Sequence, residues 1–392
     1  MSKISLAKGL YWVGAIDWNI RSFHGYITPR GTTYNAYLIV DEKIALVDTV
    51  KAPFFNEMLE RIEETVKPEE IDYVISNHVE IDHSGSLPMI MKLVKNAELI
   101  ATEKGKSGLT KYYKTNWRFV TTKEKSELDL GKRKLKFIET PMLHWPDSMM
   151  TYLEGDNILL SSDAFGQHLA TSQRFDDQVD LNIVMQEAAK YYANIILPFG
   201  TVVQNALGKL QNLKINTIAP AHGIIWRTNP KRIVDAYGKW ARGESKNKIL
   251  IIYDTMWGST EMIAKALLDA ISSEDVEVEW FNLSKTDDSD VIAQVLDAKV
   301  LLVGSPTLNN GMFPTVAKFL TYLKGLRPKE KIGACFGSYG WGGGAVKMME
   351  EELRRTGVEV VESNLDFRYV PDKEELQKAK EFGKMIAQRI KS

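Results

Sequence analysis

The stretch IDYVISNHVEIDHS, residues 71–84, decides how the first half of the chain is read. Its opening, IDYVIS, is a short β-rich run. Its close sets four potential metal ligands, His78, Glu80, Asp82 and His83, inside six positions. A solvated loop has no need of so many imidazoles and carboxylates, so the stretch reads as a strand whose end feeds a metal site.

Working outward, further β-rich runs surround it: NAYLIV, KIALVDTV, AELIAT, KLKFIET, MMTYLE, NILLSS and TIAPAH. Together they suit a layered α/β fold with sheets as its core. His144 follows KLKFIETPML, Asp163 follows NILLSS, and His222 ends TIAPAH. If these strands lie in adjacent sheets, their ends bring four imidazoles and three carboxylates into one pocket. His24 and His168, the other two of the six histidines, fit ordinary hydrogen-bonded structural roles as well as any other.

At 392 residues the chain is long for a single core, and about 100–200 residues per domain points to two. Lys plus Arg (50) nearly balances Asp plus Glu (51), so no overall field favours nucleic acid or an anionic membrane surface. One cysteine, Cys335, excludes internal disulfides and four-cysteine iron–sulfur or rubredoxin-like sites, and a reducing cytoplasm is the expected compartment. The early apolar run GLYWVGAI reads as a strand rather than a signal peptide. No segment approaches the roughly 18–20 apolar residues of a membrane span.

The polar stretch KWARGESKNK, residues 239–248, precedes a change of rhythm, which sets the expected domains at 1–246 and 247–392. From ILIIYDT onward, five β runs are each followed by a helical pattern, which predicts a doubly wound parallel sheet. Ligands of such sheets sit beyond the carboxyl ends of the strands. After the first strand come Thr255, Met256, Trp257, Gly258, Ser259 and Thr260, whose three hydroxyls and helix start form a phosphate cradle without lysine. A simple helix cap needs one hydroxyl rather than three. After the third strand stand Ser305, Pro306, Thr307, Leu308 and Asn309; after the fourth, Ser338, Tyr339, Gly340, Trp341, Gly342 and Gly343. There, glycines let backbone approach a flat ring while Tyr339 or Trp341 covers it.

The loop TMWGST resembles the T-x-x-G-x-T phosphate loop of flavodoxins, and about 145 C-terminal residues look like a flavodoxin domain that binds FMN. The stretch H-x-E-x-D-H resembles the H-x-H-x-D-H motif of the metallo-β-lactamase superfamily, with Glu80 in place of its middle histidine. The two motif sets in this order resemble the flavodiiron proteins. The resemblance implies an N-terminal αββα sandwich and a C-terminal five-stranded flavodoxin-like sheet. It implies that one iron takes His78, Glu80 and His144, that the other takes Asp82, His83 and His222, and that Asp163 bridges them. Adjacent Asp82 and His83 need a special turn to reach one metal. Mixed imidazole and carboxylate donors suit redox-active iron, whereas histidine-rich sets are more typical of hydrolytic zinc.

A flavin and a redox metal pair on one chain imply electron flow between them, and the resemblance implies reduction of O2 to water, NO to N2O, or both. His24 and Tyr191, or its neighbour Tyr192, are candidates to supply protons or hydrogen bonds; ordinary packing is their alternative. The resemblance also implies an external rubredoxin or flavin reductase as donor, and a head-to-tail homodimer or dimer of dimers meeting near Trp341. Two other readings are a zinc hydrolase with a flavodoxin partner domain and a non-catalytic flavin electron carrier.

Overall fold

The computed structural model describes residues 2–391. The chain up to Tyr191, with Thr201–Gly238, forms one compact unit; Tyr192–Gly200 and the chain from Lys239 onward form a second. Nothing in the sequence marks Tyr192–Gly200 as part of the later unit. Its membership shows in hydrogen bonds, since Asn194 accepts from the Tyr322 hydroxyl at 2.7 Å and donates to the Ser289 carbonyl at 3.1 Å.

Among the described residues, the first unit holds two two-stranded ladders, Ala15–Asp17 with Thr32–Tyr34 and Ser22–Phe23 with Tyr26–Ile27, and two large sheets. One has seven strands in the order Ile4–Ala7, Leu10–Trp12, Tyr37–Val40, Ile44–Val47, Tyr73–Ile75, Glu98–Ala101 and Phe119–Thr121. Its first three pairings are antiparallel and its last three parallel. The other has five: Glu127–Asp129, Lys134–Glu139, Met149–Glu154, Ile158–Leu160 and Thr217–Ala219.

Alternation along the strands sorts their side chains. Tyr37, Ile39, Val47, Ile75 and Ile100 pack with Leu135, Phe137, Leu153, Ile158 and Leu160 of the second sheet. Their alternates Leu38, Leu46, Val74 and Leu99 pack outward with Met58 and Ile62 of helix Phe55–Glu63, and with Leu87 and Ile90 of helix Leu87–Leu93. Each such residue contributes about 1.5–3 kcal/mol by leaving water. A slip of one residue in any strand would exchange the two sets, so the register is firmly specified. Lys209 of helix Gly200–Leu210 donates to the Glu139 carbonyl of the second sheet at 2.7 Å. The result is the expected αββα sandwich.

In the second unit, four parallel strands stand in the order Glu277–Asn282, Lys248–Tyr253, Val300–Leu308 and Ile332–Tyr339. The fifth is broken into Glu359–Val360 and Leu365–Arg368, each parallel to Ile332–Tyr339. In the gap, the Ser363 hydroxyl donates to the Cys335 carbonyl and Asn364 takes a φ of 55°. A side chain there replaces a ladder bond, which a sequence-level strand signal does not reveal. Ile249, Ile251 and Tyr253 meet Ile263, Leu267, Phe382 and Ile386 of the flanking helices. Among the described residues, no helix is long and apolar enough to cross a membrane.

Candidate metal centre and cofactor cavity

The metal-binding candidates of the first unit all stand just beyond strand ends. Asn77–His83 follows Tyr73–Ile75, His144 follows Lys134–Glu139, Asp163 follows Ile158–Leu160, and His222 follows Thr217–Ala219. The stretch after Ile75 is clamped before it turns. Asp48 accepts the Asn77 backbone N–H at 2.7 Å and its side-chain amide at 2.9 Å, while Asn77 Oδ1 accepts from Thr151 at 2.8 Å. The chain then enters a one-turn helix, Ile81–Ser84, whose His83 and Ser84 N–H groups bond to the Glu80 carbonyl. That turn brings the adjacent Asp82 Oδ2 and His83 Nε2 within 3.3 Å of each other.

Two groups of donors that share no residue result, and a third, His24, Glu80 and Asp82, overlaps both. His78, Glu80, His144 and Asp163 form one; Asp82, His83 and His222 form the other; within each, the ligand atoms lie within 4.8 Å of one another. Glu80 Oε2 stands 3.3 Å from His78 Nε2 and 3.4 Å from His144 Nε2. Asp163 turns one oxygen to each group: Oδ2 lies 3.3 Å from His144 Nε2 and 3.6 Å from His78 Nε2, and Oδ1 lies 3.2 Å from His83 Nε2 and 3.3 Å from His222 Nε2. Asp82 Oδ2 is 3.1 Å from His222 Nε2.

These donors fit metal ions. Both oxygens of Asp82 and of Asp163, and Nε2 of His83, His144 and His222, are buried without a hydrogen-bond partner. Buried polar atoms without partners cost free energy unless something else satisfies them. Spacings near 3.1–3.6 Å match the edges of a coordination polyhedron around an ion about 2.0–2.2 Å from its ligands.

The charges of the pocket make the same demand for positive charge. Burial alone would push His222 and His144 down, yet the carboxylates of Asp163, with Asp82 or Glu80, lift them to about 10 and about 9. Burial would likewise raise Glu80 and Asp163, and the imidazoles around them outweigh it and depress both. A cation is what this arrangement of charges favours.

The remaining candidates divide. His24, at a φ of 52°, places Nε2 3.3 Å from Glu80 Oε1. The Tyr191 hydroxyl is buried without a hydrogen-bond partner, its ring 5.1 Å from His168 and 6.2 Å from His222. Tyr192 instead packs its ring 5.1 Å from Trp240. His168 is held through Nδ1 to the Thr32 hydroxyl at 2.8 Å, but its ring also lies 5.0 Å from that of His222. All six histidines therefore gather at this pocket.

Sequence reading missed the groups behind the ligands. Asp147 Oδ2 lies 3.0 Å from His78 Nδ1, and the Thr33 carbonyl lies 2.6 Å from His222 Nδ1. Neither carries a local signal, because each acts across 69 or 189 positions of chain.

In the second unit, a cavity of about 430 Å³ opens at the carboxyl ends of the parallel strands. Thr255, Met256, Trp257 and Ser259 line it from the first loop, Pro306, Thr307, Leu308 and Asn309 from the second, and Ser338, Tyr339, Gly340 and Trp341 from the third. Tyr369 and Val370, beyond the broken fifth strand, complete it and were not foreseen. Gly258, Thr260, Gly342 and Gly343 are not among the lining residues; Gly258 and Thr260 support the loops. Gly258 takes a φ of 89° at the helix start and donates to Thr255 Oγ1 at 3.0 Å. Thr260, buried, shares a 2.9 Å hydrogen bond with Ser338.

Comparison with known proteins supports both halves. Residues 32–223 match the family described as ODP family beta lactamase, and residues 251–383 match the flavodoxin family. A nitric oxide reductase of Moorella thermoacetica is 51% identical over 99% of this chain and 98% of its own. The solved rubredoxin oxygen:oxidoreductase of Desulfovibrio gigas superposes with a TM-score of 0.96 at 37% identity, over 100% of this chain and 99% of that one. A solved flavodiiron protein of Giardia intestinalis gives a TM-score of 0.96 at 36% identity, over 99% and 97%.

Proposed function

The chain belongs to the flavodiiron proteins, and on that premise we propose that it is an oxidoreductase passing electrons from FMN to a di-iron site that reduces O2 to water, NO to N2O, or both. The observation that carries this reading is Asp163, one carboxylate aiming one oxygen at His78 and His144 and the other at His83 and His222. In it, His78, Glu80 and His144 hold one iron, Asp82, His83 and His222 hold the other, and Asp163 is shared. When bound, two irons supply electrons and open positions for a diatomic molecule, and FMN stores and refills those electrons.

The protein's own groups do the rest. Glu80 and Asp163 orient imidazoles and set the charge of the pocket. Tyr191 keeps its proton, because burial first, and then the Asp163 charge, push its hydroxyl well up. It is the group we assign to donating a hydrogen bond at the reacting atoms, and His24 is the group we assign to proton delivery there. In the cavity of the second unit, Thr255, Ser259 and the free N–H groups of the helix start receive the FMN phosphate, while Tyr339, Trp341 and Tyr369 flank its ring. The first unit carries the metals, and the second, Tyr192–Gly200 included, carries the flavin.

An external rubredoxin-type or flavin-reductase donor, a cytoplasmic setting and a homodimer belong to the same proposal. Trp257 and Trp341 are 90% and 91% exposed, wide aromatic surface at the rim of the flavin cavity that a partner would cover. The test is gas consumption by the reduced, iron- and FMN-loaded chain, with N2O measured when NO is supplied. Zinc in place of iron, with hydrolytic activity and no gas uptake, would replace this reading by the hydrolase.

A further inference from the structure

The two donor groups are matched in what they present to a metal. Each has two imidazoles and one carboxylate of its own, and they share Asp163. They differ behind the imidazoles. His78 Nδ1 donates to Asp147 Oδ2 at 3.0 Å, and the same oxygen accepts the Val79 N–H at 2.8 Å. His222 Nδ1 donates to the backbone carbonyl of Thr33 at 2.6 Å. One ring therefore leans on a full negative charge and the other on a neutral dipole.

Asp147 is built in rather than incidental. It is 4% exposed, it comes from the loop that carries His144, and its carbonyl accepts from the Thr102 hydroxyl at 3.0 Å. Asp48, another buried carboxylate behind the cluster, has its oxygens bonded to Asn77 rather than to a ring. An imidazole that hydrogen-bonds to a carboxylate gains imidazolate character and becomes a stronger donor to whatever its other nitrogen binds. Stronger donation stabilises the higher charge state of a metal.

We propose that Asp147 makes the two metal positions unequal: through His78 it stabilises ferric iron held by His78, Glu80 and His144 relative to iron held by Asp82, His83 and His222. The first electron to arrive then settles on the His222 side, and the His78 side is the last to be reduced. Asp147 acts as a positioning residue, and the proposal rests on the di-iron reading above.

Asp147→Asn isolates the charge, because one amide oxygen in place of Oδ2 accepts both hydrogen bonds. The measurement is a redox titration of the iron- and FMN-loaded protein, followed by the magnetic resonance signal of the mixed-valent state, with iron content and chelator competition alongside. The parent should show two separated iron steps. In D147N the lower step should move up toward the higher, and one iron of the two should bind about 10- to 100-fold more weakly. Unchanged steps in an iron-replete D147N would overturn the proposal alone. A parent chain that takes up no iron would overturn the di-iron reading, and this proposal with it. Should D147N prove insoluble, Asp147→Glu keeps the charge but cannot keep the 3.0 Å contact; the lower step must still move, and unmoved steps overturn the idea.

Discussion

The metal pocket and the flavin cavity solve opposite problems. In the first, every proposed ligand except Glu80 and His144 is fully buried, each carboxylate is ringed by imidazoles, and the supporting hydrogen bonds cross long stretches of chain. In the second, loops and small hydroxyls line an opening rimmed by exposed aromatics. Charge held in a dry interior must be balanced atom by atom, so a single loss there spreads through the set. A flat organic cofactor bound by backbone and shallow side chains spreads its contacts, so single losses there stay local.

The largest expected effect follows from that contrast. Asp163→Ala removes the one carboxylate that faces both groups, and iron should fall from two per chain toward none while FMN stays at one per chain. Metal analysis beside the flavin absorbance gives both. If D163A kept both irons, the pocket would not be the coupled set described.

Glu80→His comes next. It rebuilds H-x-H-x-D-H, but one imidazole cannot reproduce a carboxylate that stands beside His78, His144 and His24 together. The variant should favour zinc over iron in metal competition, and its gas reduction should collapse with the flavin still reducible. Iron content and gas uptake at parent levels would show that Glu80 does not select the metal.

These two positions also show what was legible beforehand. His78, Glu80, Asp82 and His83 announce themselves because they crowd one strand end, and the three cofactor loops because hydroxyls, glycines and aromatics recur at the ends of an alternating β/α pattern. Asp147 and the Thr33 carbonyl could not be read, since an acidic residue or a backbone oxygen becomes significant only when folding sets it behind a distant imidazole. Tyr191 and Tyr192 are neighbours in the chain, and only the structure separates one facing His168 and His222 from one packed on Trp240. The broken fifth strand escaped because reading VEVVESNLDF as one strand passes over the Ser363 side-chain hydrogen bond that interrupts the ladder.

Smaller effects belong to the cavity. Replacing Thr255 and Ser259 by alanine removes two hydroxyls, each contributing about 0.5–1.5 kcal/mol, so FMN affinity should fall by roughly 5- to 150-fold with iron unchanged. Fluorescence titration of the flavin-free protein measures it. The same pair without effect would move the phosphate elsewhere.

Smaller still is a pH effect at Asp366. Its Oδ1 is buried without a partner beside Gly337, and burial raises its carboxyl to about 6. The folded state then holds a proton that the unfolded state has released between roughly pH 4 and 6, so the second unit should lose stability as pH rises through that window. Asp366→Asn should abolish the loss and stabilise the protein at pH 8 by about 1–2 kcal/mol, after allowance for solvent screening. Denaturant melts at pH 4 and pH 8 test it, and a variant as pH-sensitive as the parent would refute it.

The central claim is that the buried pocket consumes the electrons that the open cavity stores. One preparation, divided and loaded with FMN plus either iron or zinc, reduced fully and mixed by stopped flow with O2 and then with NO, tests it most directly. The account predicts that flavin in the iron-loaded protein reoxidises rapidly with at least one gas, and that flavin in the zinc-loaded protein reoxidises only at the slow rate of an isolated flavodoxin unit. Equal rates from the two metal forms with both gases would contradict it.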